Sequence, residues 1–132
     1  MFELIIVGSG PAGMSAAVYA ARKQLNTLLV SSDTGGQVNL TNGVENYLGY
    51  QFIGGDELIS KFQQQVDQFP IEQKIGQTVI QVKKIDDGFE VVCESGDKFQ
   101  GKVIILASGK RPRKLNVEGE TQLTGRGITY CS

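Results

Sequence analysis

The side chains of this sequence able to act as nucleophiles or redox groups reduce to two thiols, Cys93 and Cys131, because the chain contains no histidine. Without imidazole, Ser-His-Asp and Cys-His catalysis and His-ligated metal sites are excluded from these residues. The two cysteines fit no metal-ligand spacing and are too few for a disulfide framework, so no metal is expected. Cys93 ends the strand-like run Phe89-Glu90-Val91-Val92-Cys93, where a small buried thiol is the ordinary explanation. Cys131 follows a glycine-rich turn, where packing supplies no evident purpose. Chemistry here must be carried by a thiol or by a bound cofactor.

A second constellation can hold such a cofactor. Phe2 to Val7 is an apolar, strand-like run that leads directly into Gly8-Ser9-Gly10-Pro11-Ala12-Gly13 and then into the helix-prone stretch Met14 to Lys23. G-x-G-x-x-G between a strand and a helix is the arrangement that binds the pyrophosphate of a dinucleotide. Gly8 permits the tight turn, Gly10 lets backbone approach the phosphates, and Gly13 lets the helix lie close to the strand. Unpaired N–H groups and the positive end of the helix dipole meet the phosphate charge without Lys or Arg. A glycine-rich turn with no ligand is the competing explanation, and the flanking strand and helix favour the binding site.

The elements that must position these groups follow from periodicity. Thr27 to Ser31 is a second strand, completing the start of a βαβ unit. Asp33-Thr34-Gly35-Gly36-Gln37 breaks the pattern as a loop, and residues 38–55 form a long irregular connection. Asp56 is the expected N-cap of a helix through Phe69, with Ile59, Phe62, Val66 and Phe69 as its apolar stripe and Pro70 as its stop. Val79 to Ile85, Phe89 to Cys93 and Lys98 to Gly101 form an antiparallel meander joined by two polar turns. Lys102 to Ala107 is more uniformly apolar and is expected to return to the parallel sheet as a buried strand ending in Ser108-Gly109. Four cations, Lys110, Arg111, Arg113 and Lys114, then surround Pro112.

With 132 residues, 17 glycines and a hydrophobic share of 40%, the chain suits one α/β domain but is short for a two-substrate redox enzyme. A net charge of −1 makes no electrostatic case for nucleic acid or an anionic membrane. The apolar runs Leu4 to Val7 and Val103 to Ala107 are too short to span a bilayer, and no basic leader opens the chain, so a cytoplasmic protein is expected.

Six motifs occur in order: Val7-Gly8-Ser9-Gly10-Pro11-Ala12-Gly13, Ala17-Val18-Tyr19-Ala20-Ala21-Arg22, Gly35-Gly36-Gln37, Val44-Glu45-Asn46-Tyr47, Ala107-Ser108-Gly109 and Gly125-Arg126-Gly127-Ile128-Thr129-Tyr130-Cys131. Together they resemble the N-terminal part of the thioredoxin reductase family of flavoprotein disulfide reductases, which includes the flavoprotein component of alkyl hydroperoxide reductase. The resemblance implies an incomplete α/β, Rossmann-like FAD-binding domain with a parallel sheet and an antiparallel meander. Its pyrophosphate site would be the loop of Gly8, Ser9, Gly10, Pro11, Ala12 and Gly13. Gly35, Gly36, Gln37 and Asn46 would orient the isoalloxazine and ribityl chain, Val79 would touch the adenine, and Ala107, Ser108 and Gly109 would bring backbone against the dinucleotide. A ribose-binding acid is expected about twenty residues after the glycine motif. Ser31 and Ser32 occupy that place and Asp33 comes slightly late, so ribose recognition would use hydroxyls or backbone.

Cys131 matches the first cysteine of the family's Cys-x-x-Cys, which makes it the catalytic thiol by resemblance. Electrons would pass from NADPH or NADH through FAD to a disulfide that includes Cys131, and then to a thioredoxin-like protein. The partner cysteine, the nicotinamide-binding domain and the closing segment of the FAD domain would lie beyond Ser132, and the chain alone would be inactive. Residues 1–113 would be the N-terminal part of the FAD-binding domain, with the meander at 78–101, and 114–132 a linker toward the nicotinamide domain. The resemblance also implies a homodimer, and an apolar sheet surface left uncovered around Val103 to Ala107. A stand-alone nucleotide-binding regulatory module without catalysis is the alternative, and it leaves Cys131 unexplained.

Overall fold

A computed structural model describes residues 1–111 and 113–130. Phe2–Ser9 (β1), Pro11–Arg22 (α1) and Thr27–Thr34 (β2) form the expected βαβ start, with β1 and β2 parallel and Leu4 to Val7 opposite Thr27 to Val30. The near-continuous apolar run of β1 is explained by cover on both of its faces. On one face Leu4 and Ile6 pack with Met14, Ala17 and Ala20 of α1 and with Leu29, Ile59 and Val66. On the other, Ile5, Val7, Leu28 and Val30 meet Val91 and Cys93. Gly13, Ala17 and Ala20 are the buried small residues that let α1 lie close to the sheet.

The second helix, Gly55–Val66 (α2), is shorter than the expected Asp56 to Phe69. Gly54 occupies the N-cap in place of Asp56, and Asp56 and Glu57 sit in the first turn, where their charge meets the helix dipole. At the other end, the Asp67 carboxylate accepts from Gln63 at 2.6 Å and from Gln73 at 3.0 Å, tying the helix end to the strand that follows. That strand, Glu72–Ile75 (β3), pairs in parallel with β2 and was not expected. Its sequence, Glu-Gln-Lys-Ile, has almost no apolar content because it forms the outer edge of the sheet, where polar side chains are the rule.

Val79–Ile85 (β4), Gly88–Cys93 (β5) and Lys98–Leu106 (β6) complete one sheet with the order β3-β2-β1-β6-β5-β4. The two segments expected at 98–101 and 102–107 are a single strand. The first part of β6 runs antiparallel to β5, from Val92 opposite Lys98 to Phe89 opposite Gly101, and the second runs parallel to β1, from Phe2 opposite Gly101 to Val7 opposite Leu106. Gly101 is the changeover, and a side chain there would run into Ile5. The expectation that this strand is buried is corrected: Val103 is 54% and Leu106 66% exposed. Val103 and Ile105 share the face of their partners Leu4 and Ile6, and α1 covers that face over β1 rather than over β6. The apolar surface expected around Val103 to Ala107 is therefore uncovered among the described residues. No described helix is long and apolar enough to cross a membrane.

Cys93, the last residue of β5, is only 1% exposed, and burial, with a smaller contribution from the Asp97 charge, pushes its thiol above the ordinary value of 9.0. A thiol held protonated is a poor nucleophile. Iodoacetamide at pH 8 is expected to leave Cys93 unmodified in the folded chain and to alkylate it in urea. Because the folded-state value is raised, this residue's contribution to stability is complete below the free-thiol pKa and declines as pH rises through the folded one. Cys93→Ala should flatten that alkaline decline in denaturant melts and cost about 1 kcal/mol near neutrality.

Candidate dinucleotide-binding site

The three glycines of the first loop divide their work visibly. Gly8 has φ +107, and a Cβ on it would strike the Ala107 carbonyl, so it allows the end of β1 to touch the turn after β6. A Cβ on Gly13 would strike the Gly8 carbonyl, so this glycine sets the close approach of α1 to the strand. Gly10 is different in kind. Its backbone, φ −84 and ψ −177, suits any residue, and a Cβ there would meet no protein atom within 4 Å. The open side of Gly10 faces a cleft of about 1360 Å³.

This cleft lies beyond the carboxyl ends of β1, β2 and β6, where ligands of open α/β sheets bind. Gly8, Ser9, Gly10, Pro11 and Ala12 line it, as do Ser31, Gly36, Gln37, Val79, Ala107, Ser108 and Gly109, so segments distant in sequence converge as expected. Two expected residues stand behind the surface: Gly13 packs against β1, and Gly35 donates its N–H to the Ser9 carbonyl at 2.6 Å, joining the two glycine loops. Asn46 is placed elsewhere. It lines a second cavity, about 710 Å³, on the α2 side of α1, which shares Pro11 and Val38 with the main cleft. Cys131, the expected catalytic thiol, lies outside the described residues.

Two features fit a pyrophosphate. Gly10 caps α1 without any side-chain hydrogen bond, which leaves the first-turn N–H groups and the dipole free for an anion. The Ser9 hydroxyl, in a residue only 1% exposed, has no hydrogen-bond partner among the described residues. A buried orphan of this kind calls for a ligand or a water. The cleft also exceeds the roughly 300–1,000 Å³ of a pocket for a drug-sized molecule, as an extended dinucleotide requires.

Asp33 is better placed than its position in the sequence suggests, because β2 runs on to Thr34 and carries it to the cleft. Its carboxylate is already engaged on the protein: Oδ1 accepts the Gly36 N–H at 3.2 Å, and Oδ2 accepts the Ser32 hydroxyl at 3.0 Å and lies 3.5 Å from the Arg111 guanidinium. Asp33 thus braces the Gly35-Gly36 turn, where φ values of +92 and +55 favour glycine. The Arg111 pair is exposed and contributes at most about 1 kcal/mol. The Ser31 hydroxyl is also spent internally, donating to the Asp33 carbonyl at 2.6 Å. Sequence reasoning assigns no role to Lys110, Arg111, Lys114, Glu120 or Tyr130, all of which line the cleft. The cation cluster just after Ser108-Gly109 is the available signal for the first three.

A loop that holds pyrophosphate is common to many nucleotide-binding families, so the wider pattern decides among them. The profile described as pyridine nucleotide-disulphide oxidoreductase matches residues 2–132. The chain belongs to that family. Over 130 residues it is 39% identical to the F component of Staphylococcus aureus alkyl hydroperoxide reductase, covering 98% of this chain and 26% of that protein. It is 38% identical to the thioredoxin reductase of Bacillus subtilis, covering all of this chain and 42% of the relative. The Lactococcus lactis thioredoxin reductase structure superposes with a TM-score of 0.88 at 39% identity, over 99% of this chain and 43% of that one. The chain therefore spans less than half the length of these relatives. Thioredoxin reductase-type members of the pyridine nucleotide-disulphide oxidoreductases work with FAD and NADPH, and the open Gly10, the uncapped helix and the orphaned Ser9 hydroxyl fit the pyrophosphate of the flavin dinucleotide.

Proposed function

We propose that this chain supplies the FAD cradle of a thioredoxin reductase-like disulfide reductase driven by NADPH or NADH, with Cys131 as one sulfur of its redox disulfide and a thioredoxin-like protein as acceptor. The observation that carries this reading is the cleft itself, in which the first glycine loop, the Gly36-Gln37 turn and the Ala107-Ser108-Gly109 turn share one wall system at the strand ends. Bound FAD would supply two-electron chemistry between a nicotinamide and a disulfide. The chain's own residues bind and orient: α1 and Ser9 hold the pyrophosphate, Gly36 and Gln37 present backbone and amide to the ring half, and Val79 offers an apolar surface to the adenine. Asn46, across the Pro11–Val38 wall, would reach the cofactor only from the second cavity.

Cys131 is the sulfur for exchange by its match to the family's redox motif, and Cys93, the other thiol, is buried and held protonated. The residues fall into 1–113 as the flavin-binding part and 114–132 as the linker that carries this sulfur. Titration of the purified protein with FAD tests the reading. Because the closing segment of the flavin domain is expected beyond Ser132, this stretch alone should hold FAD poorly, and tight stoichiometric flavin would make it a complete binding domain. With that segment and a nicotinamide-binding domain joined to it, a shifted flavin absorbance band supports the reading and an unperturbed flavin spectrum overturns it. A protein that binds FAD but never reduces a thioredoxin-like disulfide, even when joined to a nicotinamide-binding domain, would favour a regulatory binding module.

A further inference from the structure

Glu120 opens the short helix Glu120–Leu123 (α3) with the residue only 5% exposed, and the function proposed above makes no use of it. A buried carboxylate is costly unless its oxygens are satisfied, and here both are. Oε1 accepts the Leu115 N–H at 2.9 Å and the Tyr130 phenol, and Oε2 accepts the Asn116 N–H at 2.7 Å. Asn116 adopts φ +55, a left-handed geometry that Asn tolerates better than most residues, and two successive N–H groups converge on the one carboxylate.

The surrounding turns hold the same residue from behind. Thr124 donates to the Glu120 carbonyl through its N–H at 2.9 Å and its hydroxyl at 2.7 Å, and Ile128 donates to the Leu123 carbonyl at 3.0 Å. Glu120, Thr121, Thr124 and Tyr130 all line the main cleft. We propose that Glu120 is a positioning residue, whose carboxylate fastens the two ends of segment 113–130 together and fixes the Tyr130 phenol in the wall of the cleft. Loosening that wall changes how the cleft closes on its occupant without touching the glycine loop. The consequence for FAD rests on the function proposed above.

Hydrogen exchange of the Leu115 and Asn116 amides in the 132-residue chain, together with FAD titration, tests this. Glu120→Ala should speed exchange at both amides by about tenfold or more, as expected when hydrogen bonds to a charged acceptor are lost. Glu120→Gln fills the same space but keeps one acceptor oxygen, so protection should persist at one amide and vanish at the other. A merely space-filling residue would show no such split. Tyr130→Phe should leave both amides protected, abolish the phenol's contribution to the ultraviolet difference spectrum between wild type and Glu120→Gln, and weaken FAD in the same direction as Glu120→Ala. Full protection of both amides in Glu120→Gln overturns the proposal, as does unchanged FAD affinity in both Glu120→Ala and Tyr130→Phe. If the wild type itself ignores FAD, the flavin reading fails, while the exchange split and the tyrosine spectrum still decide the role of Glu120.

Discussion

Gly10→Val is expected to leave the chain folded and to weaken FAD binding by at least about a hundredfold, the loss of two charge-assisted hydrogen bonds to the pyrophosphate. The two halves of that result come from one observation: the backbone at Gly10 is unstrained and the space beside it is open in the protein, so the only thing a valine displaces is the ligand. The flanking glycines give the contrast. Gly8→Ala adds a Cβ at φ +107 directly against the Ala107 carbonyl, and Gly13→Val wedges α1 off β1, so both should lower the melting temperature before any question of ligand arises. Thermal melts paired with flavin titration separate the cases. A Gly10→Val protein that binds FAD as tightly as wild type would remove the pyrophosphate from this loop.

The same distinction shows what the sequence could disclose. The three glycines, the strand before them and the helix after them are legible because their order is fixed by local chemistry and by a short span of chain. The division of work among them is legible too, but that Gly8 makes room for the Ala107 carbonyl is not, since that neighbour stands almost a hundred residues away. The edge strand Glu72–Ile75 is invisible for a related reason: its partner β2 supplies the pairing, and its own residues carry no apolar alternation. Lys98–Leu106 resembles two strands in sequence because its composition changes where its partner changes from β5 to β1, while the backbone continues through Gly101. Glu120 looks like one acid among many. Burial and three donors gathered from separate positions give it a role, and neither is written in local spacing.

In the chain joined to a nicotinamide-binding domain and the expected partner cysteine, Cys131→Ser should cut reduction of a thioredoxin-like disulfide by about three orders of magnitude or more, the scale seen when a group acting covalently is removed. Nicotinamide-driven bleaching of the flavin absorbance in the same protein should stay near the wild-type rate, because in the proposed electron path the thiol step comes after the flavin is reduced. The role of Cys131 rests on the resemblance, and the other thiol of the chain is unsuited to it. Cys93, at the end of β5, packs in one cluster with Ile5, Val7, Leu28 and Val30, is 1% exposed and has a thiol kept protonated by that burial, so a protein substrate cannot reach it and its thiolate is scarce. Cys93→Ser therefore belongs beside Cys131→Ser as the control: it should lower stability and spare turnover. Stopped-flow flavin absorbance and a coupled disulfide-reduction assay read the two steps separately. Loss of disulfide reduction in Cys93→Ser with retention in Cys131→Ser would reverse the assignment, and loss of flavin bleaching in Cys131→Ser would place this cysteine in the nicotinamide half of the reaction instead.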